Sequence, residues 1–298
     1  MADTLDRIIT QSGNIFGIAC NTTNLVGEAV KRHDMGPTGA AALGRAMTGA
    51  VLLAGLLKGE QSIQLSFEGN GPLGKITAEA GTAGWCRGFA AYPRADVPLK
   101  NGLIDVAGGI GKAGFLRVVK DIGMKDKYTG LVQLYTSEVG DDIAYYLTES
   151  EQTPSSIGIG VHLLPDGRVS AAGGFLIQSL PPADEEAILG LEKKIQQHTS
   201  ITAMIAEGKT PGEILANLFS SIPHKHTGSS RLVFACKCTR EKMVDALYTL
   251  NNDDIHYLME EKDGVEVRCD FCNTRYTFSK DFLLTILAER GNTPTTDA

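Results

Sequence analysis

"FACKCTREK" (234–242) and "VEVRCDFCNTRYTF" (265–278) hold four of the six cysteines in the chain. The spacing is Cys236-x-Cys238, thirty intervening residues, then Cys269-x-x-Cys272. Two short thiol pairs brought together by the segment between them supply the four ligands of a tetrahedral structural site, a donor set that suits zinc. An iron–sulfur cluster is the weaker reading of this spacing. His224, His226 and His256 are nearby, but none stands at a spacing that pairs it with a cysteine, and they read as surface residues.

The compartment supports the same direction. "MADTLDRIITQSGNIFG" (1–17) has no basic segment followed by an apolar run, so it does not read as a secretory signal. A cytoplasmic setting is expected, where thiols stay reduced and clustered cysteines serve metal or redox chemistry rather than structural disulfides. The most apolar stretch, "AMTGAVLLAGLL" (46–57), is too short to span a bilayer and fits a buried helix, so no membrane partner is expected.

The residues between the clusters suit a small fold built around a metal. "TREKMVDALYTL" (239–250) predicts a helix with Met243, Ala246, Leu247 and Leu250 on one side. "NNDDIHYLMEE" (251–261) predicts a second, and 264–278 a hairpin whose turn carries Cys269 and Cys272. A module of this size has little core, and structural zinc in such modules contributes about 10–16 kcal/mol. Zinc-held thiolates are also open to oxidants, and each pair could close on itself as a disulfide. On the residues alone the cluster is therefore either a permanent scaffold or a switch.

Working outward, residues 1–180 read as a mixed sheet-and-helix domain. "TGAAALGRAMTGAVLLAGLLKG" (38–59) predicts a helix stopped at Gly59. "SIQLSFEG" (62–69) alternates Ile63, Leu65 and Phe67, the period of a half-buried strand. "KITAEA", "GLVQLYTS" and "DIAYYLTES" (142–150) also read as strands, and Pro165-Asp166-Gly167 as the turn of a hairpin over 160–180. Strands in succession with few helices between them give an α+β class. Residues 181–230 predict an amphipathic helical linker, with Ile188, Leu191 and Ile195 on one face, then Ile201, Met204 and Ile205, then Ile214, Leu215 and Phe219. Isolated helices this short are marginal in water and must dock. "SIPHKHTGSS" (221–230) reads as a polar connection to a cysteine domain over 231–290, with a flexible tail over 291–298.

Several function classes are excluded. The hydrophobic fraction of 43% and charged fraction of 21% are those of an ordinary globular chain. The net charge is −7, and 231–290 carries nine Lys and Arg against eleven Asp and Glu, the wrong sign for a surface that tracks phosphates. No nucleic-acid partner is expected. "GNGPLG" (69–74) formally matches a dinucleotide fingerprint, but a strand rather than a helix follows it, so a β-turn is the better reading. "GGIGKAG" (108–114) has Ala113 where a P-loop needs Ser or Thr, and Val106 where it needs glycine. Neither supports ATP binding. There is no nucleophile elbow and no Ser/His/Asp set, Glu149 and Glu151 read as polar turn residues, and an enzyme is not expected.

"FACKCTREKMVDAL" with "VEVRCDFCNTRYTF" resembles the C-terminal zinc region of the 33 kDa chaperonin family, the redox-regulated heat-shock holdases. "AAALGRAMTGAVLLAGLLKGE", "GNGPLGKITAEA", "RGFAAYP", "YYLTESEQTPSSIGIGV" and "AAGGFLIQSLP" resemble its N-terminal domain, so the likeness spans nearly the whole chain. No departure touches a ligand, and Cys20 and Cys86 stand outside the motif. The resemblance implies an ATP-independent chaperone, inactive while Cys236, Cys238, Cys269 and Cys272 hold one Zn2+. It implies that oxidation pairs Cys236 with Cys238 and Cys269 with Cys272. Zinc then leaves, the switch domain unfolds and the linker is released. Unfolding client proteins are the implied partners, with a homodimer in the activated state. It is the resemblance that favours the switch over the scaffold.

Overall fold

The computed structural model describes residues 2–182, 184–197, 200–261 and 264–291. The chain divides into two compact units, with the boundary between Ala235 and Cys236.

The N-terminal unit is built on two sheets with a helix between them. One sheet has five antiparallel strands in the order β10 (His224–Arg231), β1 (Thr4–Thr10), β2 (Ile15–Asn21), β9 (Val169–Ser179), β8 (Ser155–Leu163). The other has six, in the order β11 (Val233–Phe234), β5 (Trp85–Ala90), β4 (Lys75–Gly81), β3 (Ser62–Gly69), β6 (Gly114–Asp121), β7 (Tyr128–Gln133). All neighbours in it are antiparallel except β11 with β5. The helix between the sheets is α2 (Pro37–Ala54), in which every residue but Pro37 and Arg45 is buried. It packs on β3, β4 and β5 on one side and on β2, β8 and β9 on the other.

A helix apolar on all sides belongs inside a core, and small residues let both sheets approach it closely. A methyl group on Gly49 would sit 2.4 Å from Ile143 Cδ1, and one on Gly44 2.6 Å from Val26 Cγ1. The helix ends at Gly55, before the expected Gly59, which instead closes the following turn at φ 62°. Helices α1 (Thr23–His33), α3 (Val106–Ile110) and α4 (Val139–Glu149) complete this core.

Three sequence readings are corrected. "DIAYYLTES" is not a strand but most of α4. Its buried set of Val139, Ile143, Tyr146 and Leu147 has helical spacing, and the buried Asp142 carboxylate accepts the backbone N–H groups of Tyr135, Thr136 and Ser137. "SIPHKHTGSS" is not merely a connection, since it contributes most of β10, which pairs with β1. Glu151 is also more than a turn residue. It accepts hydrogen bonds from Lys120 Nζ and the buried Tyr146 hydroxyl. Burial and this carboxylate together push the Tyr146 phenol well above its ordinary range. The α+β class, the strands at 62–69 and 75–81, the turn between them, and the β8–β9 hairpin agree with the sequence reading.

The outer face of the five-stranded sheet carries the linker helices α5 (Glu185–Gln197), α6 (Ile201–Ala206) and α7 (Pro211–Leu218). Along β9, alternate residues serve the two sides: Ala172 and Leu176 join the central core, while Ala171, Phe175 and Ile177 face the linker. Those three form a second apolar cluster with Ile8, Ile15, Leu191, Ile201, Met204, Ile205, Ile214, Leu215, Leu218 and Phe219. Thr210 begins α7 with a capping box: its hydroxyl accepts the Glu213 N–H at 3.2 Å, and the Glu213 carboxylate accepts the Thr210 N–H at 2.7 Å.

The C-terminal unit contains α8 (Arg240–Tyr248), α9 (Asn252–Glu261), the hairpin β12 (Gly264–Arg268) and β13 (Arg275–Ser279), and α10 (Lys280–Gly291). Its buried core is small: Leu247, Ile255, Met259, Phe278, Leu283 and Ile286. Both helices and the hairpin read from the sequence are present. The tail expected over 291–298 lies, beyond Gly291, outside the described residues.

Candidate metal centre

Each cysteine pair is held by local structure that its own neighbours dictate. Cys236 and Cys238 lie on the extended segment leading into α8, where the Thr239 hydroxyl accepts the Lys242 N–H as the helix cap. The Lys242 ammonium donates back to the Lys237 carbonyl at 2.9 Å, fixing the segment between the two thiols. Cys269 and Cys272 occupy the turn between β12 and β13. The Cys269 N–H donates to the Thr274 carbonyl at 3.0 Å, and the Asn273 N–H to the Cys269 carbonyl at 2.8 Å. Asn273 takes the left-handed backbone (φ 58°) that this tight return needs and that asparagine tolerates.

The four sulfurs converge within 4.8 Å of one another. The short approaches run across the pairs, with Cys236 Sγ 3.8 Å from Cys269 Sγ and Cys238 Sγ 3.3 Å from Cys272 Sγ. Four thiolates bonded to one zinc at about 2.3 Å define a tetrahedron with edges of about 3.8 Å, so the cluster fits the ion with little movement. Cys269 and Cys272 are buried and the other two half-buried. Burial pushes the Cys269 thiol up to about 12 and also raises that of Cys238. Burial opposes ionisation of Cys272 too, but hydrogen bonds from Thr274 and the neighbouring thiols overcome it and bring the group to about 7.

No histidine joins this cluster among the described residues. His256 is exposed on α9, His226 is exposed on β10 with Nε2 3.3 Å from Asp6 Oδ1, and the half-buried His224 meets the edge of Phe219. Two residues that the sequence reading passed over touch the sulfurs. The Tyr276 hydroxyl donates to Cys238 Sγ at 3.2 Å, and Thr274 Oγ1 lies 3.2 Å from Cys272 Sγ. Their signal was present in "CNTRYTF", where hydroxyl-bearing residues follow Cys272 at every second position into a strand.

Cys20 and Cys86 lie elsewhere, fully buried in the central core of the N-terminal unit. Burial drives both thiols far above their ordinary range, so they pack as small apolar groups.

Sheets enclosing a buried helix, with a unit of small core following that gathers four cysteine sulfurs, define a two-unit α+β protein whose second unit carries a cluster able to hold a metal ion. Comparison with known proteins gives the family. The family model described as Hsp33 protein matches residues 3–279. The 33 kDa chaperonin of Desulfotalea psychrophila is 55% identical over 292 residues, covering 98% of this chain and 99% of its own. That of Geobacter sulfurreducens is 47% identical over 283 residues, covering 95% and 94%. The crystal structure of the 33 kDa chaperonin (heat shock protein 33 homolog) of Thermotoga maritima superposes with a TM-score of 0.92 at 32% identity, over 98% of this chain and 100% of that one. The chain belongs to the Hsp33 family.

Proposed function

We propose that this protein is a redox-regulated, ATP-independent holdase chaperone. Its reduced form holds one Zn2+ through Cys236, Cys238, Cys269 and Cys272 and is inactive. When bound, the zinc supplies a tetrahedral cross-link and keeps the four sulfurs as thiolates. The observation that carries the reading is the convergence of four sulfurs within 4.8 Å in a unit with only a small apolar core.

Oxidation by a peroxide is written for each pair in two steps. A sulfur attacks the O–O bond, an S–O bond forms and hydroxide leaves, taking a proton to become water. The second sulfur of the pair then displaces the sulfenic oxygen, giving the disulfide and a second water. Two electrons pass from the two sulfurs to the peroxide. Pairing Cys236 with Cys238 and Cys269 with Cys272 removes all four ligands, and the C-terminal unit loses the cross-link its core cannot replace.

The linker is built for release. Helices α5, α6 and α7 are short, and between α5 and the sheet lies a cleft of about 310 Å³ lined by Ile15, Ile177, Ile188, Leu191 and Ile195. The chain connecting α7 to the cysteines runs through β10, paired with β1, and then through β11, which pairs just two residues with β5 before the Ala235 N–H donates to the Cys86 carbonyl. Freed helices uncover Ile8, Ile15, Phe175 and Ile177 and bring apolar faces of their own, a surface suited to unfolding client proteins. The activated form pairs as a homodimer and acts in the cytoplasm. No helix among the described residues is long and apolar enough to cross a membrane.

One sample tests this. Reduced protein is expected to contain one zinc per chain and to suppress client aggregation weakly. Peroxide with mild heating is expected to release the zinc and switch suppression on without ATP. Equal suppression by reduced and oxidised protein would contradict the proposal. Replacing Cys269 and Cys272 by Ser is expected to weaken metal binding and give partial suppression without oxidant, and unchanged metal affinity in that variant would show the ligands to be misassigned.

A further inference from the structure

We infer that Tyr276 is a positioning residue for the redox chemistry: its hydroxyl restrains Cys238 Sγ and sets how readily the metal-bound centre reacts with an oxidant. The inference rests on the proposed redox reading and adds to it a residue that is not itself a ligand.

The geometry is specific. Tyr276 stands in β13, two residues from the buried Phe278, and its hydroxyl donates to Cys238 Sγ at 3.2 Å. The ring is half-buried and packs beside the small core of the C-terminal unit, so the hydroxyl is delivered by a strand rather than by a mobile loop. The core residue Phe278 is itself covered by the Arg240 guanidinium, 4.3 Å from its ring centre, at the start of the helix that follows Cys238. Tyr276 thus ties the strand carrying it to the first cysteine pair, across the thirty residues that separate the pairs in sequence.

The chemical consequence follows from what a hydrogen bond does to a metal-bound thiolate. An O–H donor draws electron density from the sulfur lone pair that would otherwise attack an electrophile. It orients the ligand and lowers its nucleophilicity, while also supporting its coordination. A half-buried sulfur such as Cys238 is reachable by small oxidants, so an adjacent hydroxyl there moderates reaction at an accessible ligand. Removal of the hydroxyl is expected to leave a sulfur that is both more nucleophilic and less firmly held. The attack on peroxide described above then begins more readily, with the same balance of atoms and electrons.

Tyr276→Phe deletes the donor and keeps the ring. Tyr248→Phe is the control, because the Tyr248 hydroxyl in the same unit donates to Glu289 instead of to a sulfur. Both variants and the parent chain are purified reduced and zinc-loaded, and zinc release under peroxide is followed with a chromophoric chelator. Tyr276→Phe is expected to release zinc several-fold faster than the parent, and Tyr248→Phe at the parental rate. In cobalt(II)-substituted protein, Tyr276→Phe is expected to move the thiolate-to-cobalt charge-transfer band to lower energy, a change that loss of packing alone does not produce. Identical release rates and an unmoved band in Tyr276→Phe would overturn the inference while leaving the redox reading intact. Failure of the parent chain itself to release zinc under peroxide would overturn both.

Discussion

The two units keep their cysteines under opposite conditions. In the N-terminal unit Cys20 and Cys86 are sealed among hydrocarbon side chains, and burial holds them as neutral thiols. In the C-terminal unit four cysteines face one another beside hydroxyl groups, and Cys272 is brought near 7. The first unit has a helix buried between two sheets and is stable through packing. Among the described residues the second has a core of six buried apolar side chains, small for a unit that must fold by packing alone. The same side chain is filler where a core exists and framework where it does not.

The most severe way to break this comparison is to take the metal away. A strong chelator under reducing conditions is expected to unfold the C-terminal unit, because a contribution on the scale of about 10–16 kcal/mol is lost. Limited proteolysis would then cut within 236–291 and spare the N-terminal sheets. Cleavage resistance throughout would mean that the small core suffices by itself. The converse change is Phe67→Ala, which empties a fully buried site in β3. It is expected to destabilise the N-terminal unit by about 3–5 kcal/mol in thermal unfolding while zinc stoichiometry stays at one. A lower zinc content in that variant would show that the units are not energetically separate.

Smaller changes sharpen the contrast. Thr210→Ala removes the capping box of α7 and is expected to weaken the linker by about 1 kcal/mol. Less oxidant should then be needed for half-maximal suppression of aggregation, and an unshifted oxidant titration would detach α7 from the switch. Cys86→Ala is the mildest, costing about 1 kcal/mol as a small core truncation. The rate of peroxide-driven zinc release should not change, and a slowed release would bring the core thiol into the redox chemistry.

Much of this contrast was readable from side chains alone. The cysteine spacing, the hairpin turn at Pro165-Asp166-Gly167 and the apolar faces of 185–218 each carry a local signal, and each lies where that signal puts it. Where the structure departs from the sequence pattern, the deciding partners lie outside the stretch itself. Ile143, Tyr145 and Leu147 alternate like a strand, but the helix is fixed by Asp142 receiving three backbone amides and by the fit of Ile143 against Gly49. Residues 224–231 look like a polar loop because an edge strand is defined by main-chain pairing, here with β1, and needs no apolar pattern. Tyr276 went unnoticed for a related reason. Its contact reaches across 38 residues to Cys238, and nothing in "RYTF" names the sulfur it meets.

The central claim is that the metal in one unit governs exposure of the linker in the other, and hydrogen exchange with mass spectrometry on a single peroxide-treated sample tests it most directly. As zinc is released, peptides from 185–218 and 236–291 are expected to lose protection together, while β2, β3 and β9 keep theirs. Protection of 185–218 that persists after all the zinc has left would contradict it.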